Sequence, residues 1–452
     1  MPPSPPSRRD LAVGPGRSGP DACPGALQLH QAADGALARI RCPGGLLTAA
    51  QLTALTEAAG STGAGYLELT SRANVQLRGL SADAARLLVP RLTAAGLLPS
   101  VSHERVRNIV GSPLCGVDAV SVWDVPAQVR ALDAAVCADP RLARLSGRFL
   151  FAVDDGRGDT AAARPDIALL PDESGQVTVL LAGADHGVRT GRDTAVALAV
   201  AAANAFLDEQ VGSQDGSDVA AWRLADLAEP VLRRVGTRLA AHPAARPTGS
   251  DQRQRHRSGP GRSTDMSARA AAGVLARPDG GYGLAVVVPL GRLRVEQAEL
   301  LAAAAGDNGG AGHGDLRLTP WRAVVLPRVA DATGWARRLD AAGLVTEPDS
   351  PWLGVTCCAG RPGCARSRAD VRADATAVHA APVGPAAPAG HAGRLPVHWI
   401  GCERGCGTPG GAVVRVLATG DGYQVTTPGR PVARTAPGAG LIAAVHTARE
   451  AP

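Results

Sequence analysis

Four cysteines near the C-terminal end are spaced for metal chemistry. Cys358 and Cys364 are separated by five residues in "VTCCAGRPGCARS", and Cys402 and Cys406 by three in "GCERGCG". Thiolates are soft ligands, and two short pairs on separate loops can converge on one polynuclear centre. The glycines and the proline around them let the backbone turn tightly and aim N–H groups at sulfur, which offsets the negative charge of a thiolate-bound centre. Paired zinc ligands usually sit two to four residues apart, so the five-residue gap favours a [4Fe–4S] cluster over zinc. Disulfides fit less well: the cysteine count is nine, and no apolar stretch follows the N-terminal "MPPSPPSRRD" to make a secretory signal. The expected compartment is the cytoplasm, where clustered cysteines more often hold metal or do redox work.

The other chemistry-bearing residues are less specific. Every basic side chain is arginine, with no lysine in 452 residues and a net charge of +6. No basic cluster is interleaved with aromatics, which make up 3% of the chain, so a nucleic-acid partner is not expected. The longest apolar region, "TAVALAVAAANAFL", is too short to span a bilayer, and no membrane association is expected. Asp154 and Asp155 in "VDDG" read first as a turn, ahead of an acid/base pair or metal ligands. Cys357 and Cys115 read as packed core thiols, and the ten histidines show no HxxxH pairing.

The elements that must position these residues come from a duplication. Gly45, Leu47, Gln51, Leu55 and Gly60 align with Gly291, Leu293, Gln297, Leu301 and Gly306. "LELTSRANVQL" (67–77) then meets "LRLTPWRAVVL" (316–326), and "RLTAAGLL" (91–98) meets "RLDAAGLV" (338–345). Each repeat reads as strand, helix with spaced leucines, alternating strand, strand, and a helix ending at "AAGL". That order predicts an α+β fold with two ferredoxin-like half-domains, residues 36–100 and 269–346. Thr48 with Gln51 predicts a capping box at the first helix. Residues 1–24 and 242–268 are polar and read as a disordered segment and a linker. Residues 101–241 and 347–452 complete two larger α+β domains, the second carrying the cysteines.

With motif and duplication together, the chain resembles the ferredoxin-dependent nitrite and sulfite reductase superfamily. "CAGRPGCARSRAD" followed by "GCERGC" is similar to its C-x5-C and C-x3-C cluster motif. The glycine-rich "CAGRPGCA" and "RFLFAVDDG" look most like its precorrin-3B synthase branch, which belongs to aerobic cobalamin biosynthesis. The resemblance implies two reductase-type domains related by a pseudo-twofold, with Cys358, Cys364, Cys402 and Cys406 as [4Fe–4S] ligands. It also implies a tetrapyrrole site where Arg72, Arg107, Asn108 and Arg148 meet the ring carboxylates. The implied reaction is an oxygen-dependent oxidation of precorrin-3A, with dioxygen and an electron donor as partners and a further non-haem iron whose ligands the sequence does not place. The alternative is a sirohaem-dependent sulfite or nitrite reductase, in which Cys406 bridges cluster and haem. A non-catalytic cluster or tetrapyrrole carrier is a third reading. Where the reductases carry two basic residues one apart in a strand, this chain has Arg148 and Leu150, which weakens the reductase alternative.

Overall fold

The structure, a computed structural model, describes residues 21, 23–81, 83–212, 221–246, 272–308, 315–380, 394–428 and 430–450. The segment assigned to residues 1–24 and the linker at 242–268 lie largely outside these. Of the former, Asp21 is docked, its carboxylate accepting from the backbone N–H of Gly147 (2.6 Å) and of Cys23 (3.0 Å).

Local sequence cues form the elements expected of them. Helix Ala49–Thr62 begins with the reciprocal Thr48–Gln51 capping bonds, at 3.1 and 3.0 Å, and buries Leu52, Leu55, Ala58 and Ala59 on one face. In the second repeat, helix Val295–Gly306 buries Ala298, Leu301 and Ala305 in the same way. Both "AAGL" segments end a helix at a left-handed glycine, Gly96 and Gly343, and the next leucine bonds back to the carbonyl of Leu92 or Leu339.

The two repeats exchange an edge strand. The first sheet runs His30–Ala32, Gly35–Ile40, Val75–Leu80, Tyr66–Leu69 and then Arg292–Arg294 from the second repeat. The second sheet runs Gly273–Ala276, Tyr282–Val287, Ala323–Val329, Asp315–Leu318 and then Leu46–Thr48 from the first. All pairings are antiparallel, and the same strand order in both makes the pseudo-twofold. One apolar core serves both repeats, with Leu52, Leu55, Leu67 and Leu77 in the same cluster as Leu293, Leu301, Leu316 and Leu326. The halves are therefore welded by shared sheets and a shared core.

The remaining two sheets repeat each other as well. Ile109–Gly111, Phe151–Val153 and Ile167–Pro171 are parallel, followed by antiparallel Gln176–Leu181 and Ala184–Gly191. Val355–Cys357, Val397–Ile400 and Val414–Ala418 are likewise parallel, followed by antiparallel Tyr423–Thr427 and Arg430–Thr435. Ser112 N–H bonds to Val153 O (3.1 Å) as Cys358 N–H bonds to Trp399 O (2.9 Å). This equivalence places Ser112 where the other domain has Cys358, and the Asp154–Asp159 loop where it has the Cys402–Cys406 loop.

Candidate functional site

The cysteine loops leave the ends of two parallel strands, Val355–Cys357 and Val397–Ile400, so the parallel pairing brings both sequence pairs to one place. The Cys358 sulfur accepts the Gly401 N–H at 3.2 Å, and Arg368 N–H bonds to Gly401 O at 2.9 Å, tying one loop to the other. Burial raises the Cys406 thiol pKa, Arg404 draws it down, and the thiols of Cys358, Cys402 and Cys364 raise it again, so the four lie within electrostatic reach of one another. A tetrahedral zinc at about 2.3 Å from each sulfur would need the sulfurs within roughly 4 Å of one another. Among the described residues, the group of three or more ligating side chains gathered within 4.8 Å is Asp154, Asp155 and Asp159, and it contains none of these cysteines. Four soft thiols on two converging loops match in number and type the donors that a polynuclear centre takes. Cys357 points the other way, buried against Leu290 O.

His398 braces the second loop. It is fully buried on its strand, with Nε2 at 3.1 Å from Cys406 O and Nδ1 at 2.8 Å from Thr356 Oγ1. A carbonyl only accepts, so Nε2 carries the proton and Thr356 donates to Nδ1. Burial, helped by Arg322, lowers the ring's pKa to about 3, which keeps this neutral tautomer.

The first sheet offers the cysteine loops a polar face. Arg39, Arg41, Glu68, Gln76 and Arg78 alternate along three of its strands with core residues such as Ala38, Ile40, Leu67, Leu69, Val75 and Leu77. Arg78 is forked onto Asp34 and also donates to Gly363 O in the first cysteine loop. Glu68 accepts from Gln76 (3.1 Å), from Arg292 of the second repeat (3.2 Å) and from Arg372 beyond the cysteines (3.0 Å). Sequence patterns did not single these residues out. Their signal is the period-two polar alternation in "ALARIRC" and "VQLRG" on strands whose other face is apolar.

The four predicted tetrapyrrole contacts divide into two pairs. Arg72 and Arg148 meet: Arg72 Nη1 donates to Arg148 O at 3.0 Å, and the Arg148 guanidinium lies over the Trp222 ring at 5.1 Å. Arg72 makes no salt bridge among the described residues. Burial, then the charges of Arg223 and Arg41, lower its pKa to about 9, so this corner is electropositive and suited to an anion. Arg107 and Asn108 are turned inward instead. Arg107 is forked onto Asp133 at 2.8 and 2.6 Å and also donates to Leu97 O. Asn108, 0% exposed, donates to Phe149 O and accepts from Asn74. At these two positions the side-chain donors are engaged within the protein.

Asp154 is a turn organiser, accepting from the backbone of Gly156, Gly158 and Thr160 and from the Thr160 hydroxyl. Asp155 is forked onto Arg157, which also pairs with Asp118. With Arg157 supplying the positive charge and the acceptors of Asp154 and Asp155 in use, this trio does not fit an open mononuclear iron site. Leu150 is fully buried among Val110, Ala152 and Ala168. Among the described residues no helix is long and apolar enough to cross a membrane.

Comparisons with known proteins agree with this architecture. Residues 30–95 and 276–341 each match the nitrite/sulfite reductase ferredoxin-like half domain. The chain is 26% identical to a ferredoxin–nitrite reductase of Synechococcus elongatus over 82% of its own length and 74% of that protein's. It is 27% identical to a precorrin-3B synthase of a Sinorhizobium species over 90% of its length and 83% of the relative's. The solved structure of Mycobacterium tuberculosis NirA has the same fold, with a TM-score of 0.68 at 19% identity, covering 88% of this chain and 77% of that one. With its exchanged edge strands and twin α+β domains, the chain carries two nitrite/sulfite reductase ferredoxin-like half domains and is similar over most of its length to proteins built on them.

Proposed function

We propose that this protein carries out the oxygen-dependent oxidation of precorrin-3A to precorrin-3B, a meso-carbon hydroxylation with γ-lactone formation from a ring acetate. In this reaction one atom of dioxygen enters the product, and the other leaves as water with an electron pair from a donor and two protons. The observation that carries the reading is the polar arginine face beside the cysteine loops, with Arg72 left unneutralised where a carboxylate would bind. A tetrapyrrole rimmed with acetates and propionates is the complementary ligand. Burial of Leu150 at the position of the reductases' second basic residue favours an organic substrate over a small inorganic anion. The relative named precorrin-3B synthase supports the same choice.

In this reading Cys358, Cys364, Cys402 and Cys406 hold a [4Fe–4S] cluster, which supplies single electrons. Arg72 and Arg148 orient the substrate's carboxylates, while Arg107 and Asn108 fix the wall behind them. Arg78 and Glu68 hold the first cysteine loop against the substrate face, and His398 holds the second. No residue is assigned to a further iron.

The sirohaem-dependent nitrite or sulfite reductase reading is retained as the second, because a nitrite reductase matches over a similar span at 26% identity. A single experiment separates the two. Anaerobically purified protein is analysed for iron, sulfide and sirohaem, then given precorrin-3A, labelled dioxygen and a reductant. A product carrying one labelled oxygen is expected, with no sirohaem bound. Bound sirohaem, with nitrite or sulfite reduced and precorrin-3A untouched, would overturn the proposal.

A further inference from the structure

Arg322 stands apart from the other buried arginines. Arg41, Arg78, Arg107, Arg189 and Arg449 are all more than nine-tenths buried, and each guanidinium donates to carboxylates, carbonyls or an amide oxygen. Arg322 is 7% exposed, yet among the described residues nothing accepts a hydrogen bond from its side chain and no carboxylate pairs with it. A guanidinium held this deep with no carboxylate beside it presents free donors that an anion can complete.

The surroundings of Arg322 are built to carry it. Its own backbone is left-handed, at φ 63°, a conformation that non-glycine residues seldom adopt. The bonds Arg322 N–H to Thr319 O and Val288 N–H to Arg322 O hold it there. Two glycines clear the path of the side chain. A Cβ on Gly291 would lie 2.4 Å from Arg322 Cδ, and a Cβ on Gly407 would lie 3.0 Å from Nη2. Both glycines have positive φ, at 69° and 81°. The stem therefore passes over Gly291, and the guanidinium ends against the residue that follows Cys406, beside His398.

We propose that Arg322 is the built-in counter-charge of the anionic metal–sulfur centre on its Cys406 side, a positioning and redox-tuning residue that crosses from the second repeat's sheet into the cysteine loops. The proposal rests on the reading of Cys406 as a cluster ligand. Reduction adds negative charge to the centre, and a fixed cation beside it stabilises the reduced form. The sequence carries the residue in "LTPWRAVVL", at the position of Ala73 in the first repeat, without any local sign of its partner.

The test compares Arg322→Gln, Arg322→Lys and Arg322→Met with the wild type as purified holoproteins, each poised against redox dyes, with iron, sulfide and tetrapyrrole affinity measured alongside. Arg322→Gln is expected to retain iron and sulfide and to shift the oxidised-to-reduced ratio of the cluster at a fixed dye potential at least tenfold toward oxidised. That factor is 59 mV for a one-electron couple. Arg322→Lys should recover part of the shift, because a point charge restores the field without the fork. Arg322→Met fills the same passage without charge and should behave as Gln does, which keeps the test valid if Gln fails to fold. An unchanged potential in both neutral variants overturns the proposal. So does a loss of tetrapyrrole affinity at unchanged potential, which would assign Arg322 to a substrate carboxylate. Cys406→Ala serves as control: full cluster retention there would overturn the underlying ligand assignment instead, independently of what Arg322 does.

Discussion

Asp159 provides the sharpest quantitative test of the fold's electrostatics. It is 3% exposed, accepts from Ser112 Oγ, and has its second carboxylate oxygen without a hydrogen-bond partner among the described residues. Burial, then the charge of Asp154, raise its pKa from 3.8 to about 7. A raised folded-state pKa means that the folded chain keeps a proton the unfolded chain has already released between those two values. Stability from this group is therefore complete below pH 4 and is lost as pH rises through about 7. One proton corresponds to about 1.4 kcal/mol per pH unit, so the shift amounts to up to about 4 kcal/mol across the window. Asp159→Asn is neutral at every pH and retains an acceptor for Ser112. Unfolding free energies of both proteins from urea titrations, measured from pH 4 to pH 9, should lie within about 1 kcal/mol of each other at the acid end. They should diverge in favour of the variant between pH 4 and about pH 7 and keep a constant separation above it. Other titrating groups are common to both curves, so the difference isolates Asp159. Parallel curves over the whole range would refute the assignment of this proton.

Three further outcomes are expected. Glu68→Gln removes the negative charge shared by Arg292 and Arg372 and should cost about 3–5 kcal/mol, seen as faster hydrogen exchange in the first cysteine loop; unchanged exchange there would count against Glu68 as the clasp. Arg72→Ala should weaken tetrapyrrole binding roughly ten- to a hundredfold, the equivalent of one charge-assisted bond of about 1.5–3 kcal/mol, with partial recovery in Arg72→Lys; equal affinity in all three proteins would remove Arg72 from the site. Cys402→Ala should abolish the cluster while Cys357→Ala keeps it, by iron and sulfide analysis, and the reverse pattern would reassign the ligands.

What contiguous residues encode is legible in the amino-acid sequence alone. The capping pair Thr48–Gln51, the period-two strands and the glycine stops at Gly96 and Gly343 each act over a few residues, and each appears in the fold as expected. The repeat is visible because both halves preserve the same local pattern. The contacts that shape the site are long-range. Arg78 reaches Gly363 across 285 residues, and Arg372 reaches Glu68 across 304. The exchange of strands Leu46–Thr48 and Arg292–Arg294 between sheets leaves no mark in either strand's own pattern. An arginine also reads the same whether it faces a ligand or a carboxylate. Only tertiary packing satisfies Arg107 with Asp133, seals Asn108 in the core, and leaves Arg72 and Arg322 with positive charge that the protein itself does not neutralise. Secondary structure and ligand spacing are local properties of the chain, whereas the pairing state of a buried charge depends on which distant groups the fold brings within hydrogen-bond reach.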